Sequence, residues 1–216
     1  MAEGGDADSV PPAPRLVRAG DLHLCIRPVT PADRESIREG LRAISPETTY
    51  QRFFVSAFSP SEQELQYLTE VDGIDHVALG ALDCTQSPPQ GTGIARYVRL
   101  PDDPTRAEAA IVVIDAYQGR GIGSLLLAAL NTRAAQCGVE YFRSYVLVDN
   151  RGVVKVLRAL GAIEAPVQEG ILQLDVPVYA GPEDVPAAPA LDRLRWAWRA
   201  LDAATEGRCD GEVDRR

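Results

Sequence analysis

The spacing of hydrophobic and polar positions changes several times along the chain. Over Leu22–Val29, Leu22, Leu24 and Ile26 alternate with His23, Cys25 and Arg27, the pattern of a half-buried strand. Three hydroxyl–proline pairs follow: Thr30-Pro31, Ser45-Pro46 and Ser59-Pro60. Each places an N-cap oxygen before a proline at the first helical position. Asp33 and Glu62 stand three residues after the first and third caps, as in a capping box. Helices are therefore predicted over Pro31–Ala43, Pro46–Phe53 and Pro60–Val71. Tyr50, Phe53 and Phe54 of the second are expected to pack against a sheet, with a substrate-contacting wall as the alternative.

Short apolar or alternating runs then predict strands at His76–Leu82, Gly93–Leu100 and Ala107–Ile114, joined as an antiparallel meander by turns at Cys84–Gln90 and Pro101–Thr105. The period switches over Gly121–Cys137, where Ile122, Leu125, Leu126, Ala129 and Leu130 share a helical face and Gly138 closes the helix. Tyr141–Val148 reads as a strand. Asn150 caps a further helix that ends at Gly161. Ala162–Val167 and Ile171–Val176 read as a hairpin around Gln168-Glu169-Gly170. The order β-α-α-α-β-β-β-α-β-α-β-β predicts a single α+β domain over 21–178, a mixed and mostly antiparallel sheet flanked by helices.

Residues 1–20, rich in Gly, Pro, Ala and Asp, are expected to form a disordered leader. The remainder, 179–216, reads as a Pro/Ala linker, a helical extension over Leu191–Ala204 and a charged tail. Leu191, Leu194, Trp198 and Leu201 form an apolar stripe on that helix, widened by Trp196 and Ala197, and it is expected to dock on the same chain. A monomer is the favoured state.

Charge narrows the possible functions. Of 216 residues, 31 are acidic and 22 basic, a net charge of −9. That balance disfavours nucleic acid as a partner, because phosphate binding needs a basic surface. No apolar run reaches the ~18 residues of a membrane span. The N-terminus resembles neither a signal nor a transit peptide, so a cytoplasmic location is expected. Cys25, Cys84, Cys137 and Cys209 form no C-x-x-C pair and have no histidine at ligand spacing. Neither a metal site nor a disulfide framework is expected.

The segment Ile111–Leu127 carries the clearest chemistry. A buried strand runs into Gln118-Gly119-Arg120-Gly121-Ile122-Gly123 and then directly into an amphipathic helix. Glycines at such a junction let backbone approach a ligand, while free N–H groups and the helix dipole favour a phosphate. A plain glycine-rich turn is the alternative. The loop lacks the Gly-Lys of a Walker A motif, and its glycine spacing and antiparallel surroundings do not suit a dinucleotide fold.

Gln118–Gly123 matches the Q/R-x-x-G-x-G/A signature of the GNAT superfamily of N-acetyltransferases, which the chain resembles over about residues 24–176. Ile26-Arg27-Pro28-Val29 with Ala32-Asp33 resembles the family's opening strand and helix. Asn150 and Gly161 stand at the spacing of its second cofactor-contacting helix. Ser45-Pro46-Glu47-Thr48 with Tyr50, Arg52, Phe53 and Phe54 is similar to bacterial Pat-type protein lysine acetyltransferases. The resemblance implies acetyl-CoA as co-substrate. It implies a pantetheine arm paired with backbone near Val112 and Val113, in a splay between Ala107–Ile114 and Tyr141–Val148. The pyrophosphate would rest on N–H groups from Gln118, Gly119, Arg120, Gly121, Ile122, Gly123 and Ser124. Arg120 would add charge or remain a solvated loop residue, and Asn150 would contact the pantetheine.

Acyl transfer to a lysine requires its ammonium, pKa about 10.4, to lose a proton. Glu108 interrupts the apolar run AEAAIVVI, where a glutamate needs a reason. It is the candidate general base, expected to be buried there, and relatives that use such a base carry a glutamate in the same Ala-Glu pair. Simple exposure at the strand start is the alternative. Many relatives have a tyrosine acid seven residues after the asparagine; here that position is Leu157. Asp115 is expected to shape the loop and His76 to fill a strand edge. The expected acceptor is a protein lysine. The alternatives are a small amine or amino acid, or an acyl-CoA-binding regulatory domain with little activity.

Overall fold

The computed structural model describes residues 12–165 and 170–207. Among them nine strands form one sheet: β1 (Arg15–Ala19), β2 (Leu22–Pro28), β3 (His76–Asp83), β4 (Gln90–Leu100), β5 (Asp103–Val113), β6 (Tyr141–Leu147), β7 (Ile163–Ala165), β8 (Ile171–Pro177) and β9 (Thr205–Glu206). Their spatial order is β7-β8-β6-β5-β4-β3-β2-β1-β9. Neighbours are antiparallel except β5 and β6, which run parallel. A parallel pair needs a crossover, supplied by helix α4.

The helices are α1 (Arg34–Ala43), α2 (Pro46–Phe53), α3 (Glu62–Thr69), α4 (Ile122–Gln136), α5 (Arg151–Ala159) and α6 (Asp192–Asp202). None of the described helices is long and apolar enough to cross a membrane. Ile122, Leu125, Leu126 and Leu130 of α4 pack in one core with Leu24, Ile26, Val77, Leu79, Tyr97 and Ala107 of the sheet. Ala128, Asn131 and Arg133 of α4 are buried as well. The helix is enclosed on both sides because α6 lies on its outer surface, where Trp198 Nε1 donates to Thr132 Oγ1 at 3.1 Å. The extension thus docks on its own chain.

The caps act largely as expected. Thr30 N–H bonds to Asp33 Oδ2 at 2.8 Å ahead of α1, and Thr48 N–H bonds to the Ser45 cap at 3.1 Å. Helix α3 is the exception: it begins after Ser61, not Ser59. Ser59/Glu62 and Ser61/Glu64 share the same spacing, and the structure closes the box on the second pair. Helix α2 ends on Phe54 at φ +58°, with its N–H on Tyr50 O at 2.9 Å.

Order begins earlier than the composition suggests. β1 lies within the segment expected to be a leader, paired with β2 through a turn at Gly20, φ +66°. Val17 and Ala19 bury one face of it, and a hairpin of this kind does not need a long apolar run. The remaining leader residues, 1–11, lie outside the described residues, as do Gln168 and Glu169 of the hairpin turn and 208–216 of the tail. The Pro/Ala segment is packed, not loose. Tyr179 N–H bonds to Asn131 Oδ1 at 3.0 Å, its hydroxyl to Leu160 O at 2.8 Å, and Val185 is buried. Cys137 is a free thiol. Cys84 is disulfide-bonded, contrary to expectation, because spacing along the chain does not report proximity in the fold.

Candidate active site

The parallel pairing of β5 and β6 covers only Arg106–Tyr141, Ala107–Phe142 and Glu108–Arg143. Beyond Glu108 the strands separate, with Ser144 Oγ reaching back to Ala109 O at 3.4 Å. Ile114 N–H bonds toward β4, to Thr92 O at 2.9 Å. Alternation along the strand then turns the backbone polar groups of Ala109, Ile111 and Val113 toward the gap. Val113 and Val112, paired in expectation, therefore differ. Val113 O faces the gap and accepts from Gln118 Nε2 at 3.1 Å. Val112 O points at Gly93 and sits only 2.9 Å from where a Cβ on that glycine would be. Ile111 is the residue that the sequence reading missed, since it was legible only once the register was known.

Past β5 the chain makes a short 3-10 turn over Asp115–Tyr117 and enters the glycine loop. Asp115 shapes this junction. Its carboxylate accepts from Ser45 N–H at 2.8 Å, Ser45 Oγ at 2.7 Å and Thr48 Oγ1 at 2.8 Å, tying the loop to the start of α2. These bonds hold the Asp115 carboxyl below its ordinary value, against the opposing effect of burial. Gln118 N–H is used on Asp115 O and Ser124 N–H on Gly121 O, both at 3.1 Å. Between them the N–H groups of Gly119, Arg120, Gly121, Ile122 and Gly123 have no acceptor among the described residues. Gly119 and Gly121 adopt φ +73° and +93°, and such alternation curls successive N–H groups into an anion-binding concavity. Of the seven N–H groups expected to form a cradle, five are thus without a backbone acceptor among the described residues, and those of Gln118 and Ser124 are already used. The Ile122 side chain is buried in the core, so it offers only backbone. Arg120 is engaged by Asp21 at 2.5 Å and lies over the Tyr117 ring.

Glu108, Ala110 and Val112 share the sheet face opposite α4. Against this face stands a cavity whose walls include Ile37, Leu41, Phe53, Arg52 and Arg96. Phe53 lines it and stacks on Phe58 with centroids 4.2 Å apart, so one of the α2 aromatics is a cavity wall; Tyr50 is exposed. Burial pushes the Arg52 guanidinium below its ordinary value, and the carboxylate of Glu108 opposes that shift. Arg96 is buried, donates to Leu68 O at 2.6 Å and contacts His76 Nε2 at 3.1 Å. With no acidic partner among the described residues, it is pushed down to about 10 by burial. Glu108 itself is exposed, not buried as expected. It is the last residue of β5 in register with β6, at the point where the strands part. No local pattern marks Arg52 and Arg96 as cavity residues, because only the fold turns both toward one cavity.

Asn150 caps α5, accepting from Val153 N–H at 3.4 Å through Oδ1, while Nδ2 reaches Gln51 Oε1 at 3.5 Å. His76 is buried at the start of β3, away from the loop, and Leu157 packs against the core.

A family profile described as Acetyltransferase (GNAT) domain matches residues 23–163. The chain is 39% identical over 195 residues to Acetyltransferase Pat of Mycolicibacterium smegmatis, an alignment covering 89% of this chain and 56% of that protein. The chain thus spans little more than half the length of this relative. Among solved structures, the GNAT domain of S. lividans PAT is 28% identical with a TM-score of 0.65, covering 76% of this chain and 95% of that one. The cAMP-binding acyltransferase from Mycobacterium smegmatis is 36% identical with a TM-score of 0.52, covering 90% and 55%.

Proposed function

The chain belongs to the GNAT acetyltransferase family, and on that premise we propose that it moves an acetyl group from acetyl-CoA to the amine of a protein lysine, with Glu108 as general base. The observation that carries this reading is the place of Glu108, at the point where β5 and β6 separate and on the face shared with the cavity.

The donor set suits the co-substrate. Five N–H groups without a backbone acceptor at the start of α4 suit a pyrophosphate, and the dipole of a 15-residue helix adds to them. From Val113 back to Glu108 the strand spans about 16 Å at ~3.3 Å per residue, a run that an extended pantetheine arm covers. The backbone of Val113 and Ile111 orients that arm, and Asn150 flanks it from α5. Acetyl-CoA supplies the thioester. The protein's own residues hold it beside Glu108, whose carboxylate takes the proton from the ammonium directly or through one water. The freed amine forms the N–C bond, the C–S bond breaks, the thiolate departs, and the nitrogen's second proton passes to solvent. Leu157 offers no proton there, and a thiol of pKa about 8.5 leaves without one.

A protein acceptor is supported by the similarity of Ser45–Phe54 to Pat-type enzymes and by the exposure of Glu108, which a long lysine side chain can reach from the surface. A second reading, a small amine carrying a carboxylate, has one observation in its favour: Arg96 and Arg52 line the cavity, and Arg96 is buried with no acidic partner among the described residues, where a buried cation ordinarily has one. The deciding measurement is thiol release from acetyl-CoA with lysine-containing peptides and proteins against free amines and amino acids. Turnover confined to the free amino acids would displace the lysine reading, and no release with any acceptor would favour a regulatory domain.

A further inference from the structure

The C-terminal helix reaches the glycine loop. Arg193 Nη1 donates to Gly119 O at 2.7 Å. The Trp196 ring lies over Gly121, its Cζ3 3.2 Å from where a Cβ on that glycine would be, with Arg193 Nε at 3.7 Å. Trp196 nevertheless remains 38% exposed, so its indole forms part of the surface beside the cradle.

The charges around the loop are unevenly committed. Arg120, the cation within the family signature, is held by Asp21. Arg193 has no acidic partner among the described residues, and its bond to Gly119 O uses one N–H of five. Coenzyme A brings several negative charges to a chain whose own net charge is −9, which makes a local uncommitted guanidinium valuable. A guanidinium is also the side chain best matched to phosphate oxygens.

We propose that α6 is part of the acetyl-CoA site, with Arg193, not Arg120, supplying the side-chain charge for the phosphates and Trp196 holding the outer side of the loop. The proposal rests on the acetyl-CoA reading above and adds residues that the family signature does not contain. Arg193 is anchored close to the ligand by its bond to the loop. Arg120 would have to give up Asp21 to reach it.

The test compares acetyl-CoA with S-acetylpantetheine, which carries the same thioester without the phosphates. Arg193→Ala is expected to raise KM for acetyl-CoA about tenfold or more, the scale of a lost charged hydrogen bond, with kcat and the KM for S-acetylpantetheine unchanged. Arg193→Lys should recover part of the loss, and Arg120→Ala should change KM less than Arg193→Ala. Trp196 is one of two tryptophans, so acetyl-CoA should alter the fluorescence of the parent and not that of Trp196→Phe. Equal losses with both donors would mean that Arg193 only supports the fold, and would overturn the proposal. So would an unchanged KM in Arg193→Ala, or a larger effect from Arg120→Ala. A folded parent that binds no acetyl-CoA would overturn the functional reading itself, whereas a parent that binds it and an indistinguishable Arg193→Ala would overturn this proposal alone.

Discussion

Glu108 and Arg143 are the last in-register pair of the parallel strands β5 and β6, yet they form no salt bridge. Arg143 donates instead from Nε and Nη2 to Asp175 on β8, at 2.9 and 3.0 Å. Arg106, on the same face of β5, bonds to that carboxylate as well. Two cations flanking Glu108 are therefore drawn toward a buried aspartate, and the carboxylate at the fork has no ion-pair partner among the described residues.

Glu108→Gln preserves size and removes the base. Turnover is expected to fall by about 10²-fold or more, with little change in acetyl-CoA affinity. Raising the pH should partly restore the rate, because the fraction of free lysine amine grows as pH approaches ~10.4. Steady-state kinetics across pH would check both effects; equal turnover in variant and parent would assign the proton to another acceptor.

Asp175 links this site to stability. The Arg143 guanidinium holds its carboxyl below the ordinary value, opposed by burial and assisted by Arg106. A carboxylate depressed in the folded state stabilises above its unfolded pKa, and the gain disappears as pH falls through the folded value. Asp175→Asn should therefore cost about 1–3 kcal/mol near neutrality, the range for charged hydrogen bonds. The gap from the parent should narrow as pH drops from about 5 toward 2. Urea denaturation at several pH values would measure it. The same substitution leaves Arg143 free to pair with Glu108, so activity at neutral pH should fall too.

How far the sequence reaches can be traced through particular residues. The shift from the short apolar run Ala107–Ile114 to helical spacing after Gly121 marks the strand–loop–helix unit directly, since a short continuous apolar run suits a buried strand and a 3.6-residue period suits one helix face. Asp115 reads as a loop-shaping residue, and its three bonds to Ser45 and Thr48 bear that out. Hairpin β1–β2 is hidden because Pro and Gly around Leu16–Ala19 resemble a disordered composition. The exposure of Glu108 depends on where β6 diverges, which is a property of two strands and not of either one. Arg193 on the loop and Arg96 in the cavity are contacts between distant segments, and no local pattern announces them.

The cradle can be tested without disturbing α6. A side chain at Gly121 would be strained at φ +93° and would meet Trp196, so loss of binding there would have two causes. Gly123 has an ordinary φ, and its Cβ would meet only Val113 Cγ2 at 3.8 Å. Gly123→Glu should fold and place a negative charge among the free N–H groups. Acetyl-CoA should raise the Tm of the parent, as any ligand of the folded state does, and that shift should be absent in the variant. An undiminished shift would move the pyrophosphate elsewhere.

The C-terminal extension contributes to the core. Leu194, Ala197 and Trp198 are buried on α6, an 11-residue helix, and Leu191 is buried just ahead of it. So short a helix is marginal alone, and its order derives from packing on α4. Trp198 is the largest of these side chains, and its Nε1 also satisfies Thr132. Trp198→Ala should therefore cost about 3–5 kcal/mol, the range for removing a buried aromatic. Truncation after Val178 should cost more, because it also removes Val185 and the β9 pairing with β1. Chemical denaturation gives the first number, and sedimentation of the truncated chain tests the second point. Exposing the apolar side of α4 should promote association at high concentration. If truncation instead leaves the unfolding midpoint unchanged, α6 adds nothing to the fold, and its contacts with the glycine loop would have to be explained by function alone.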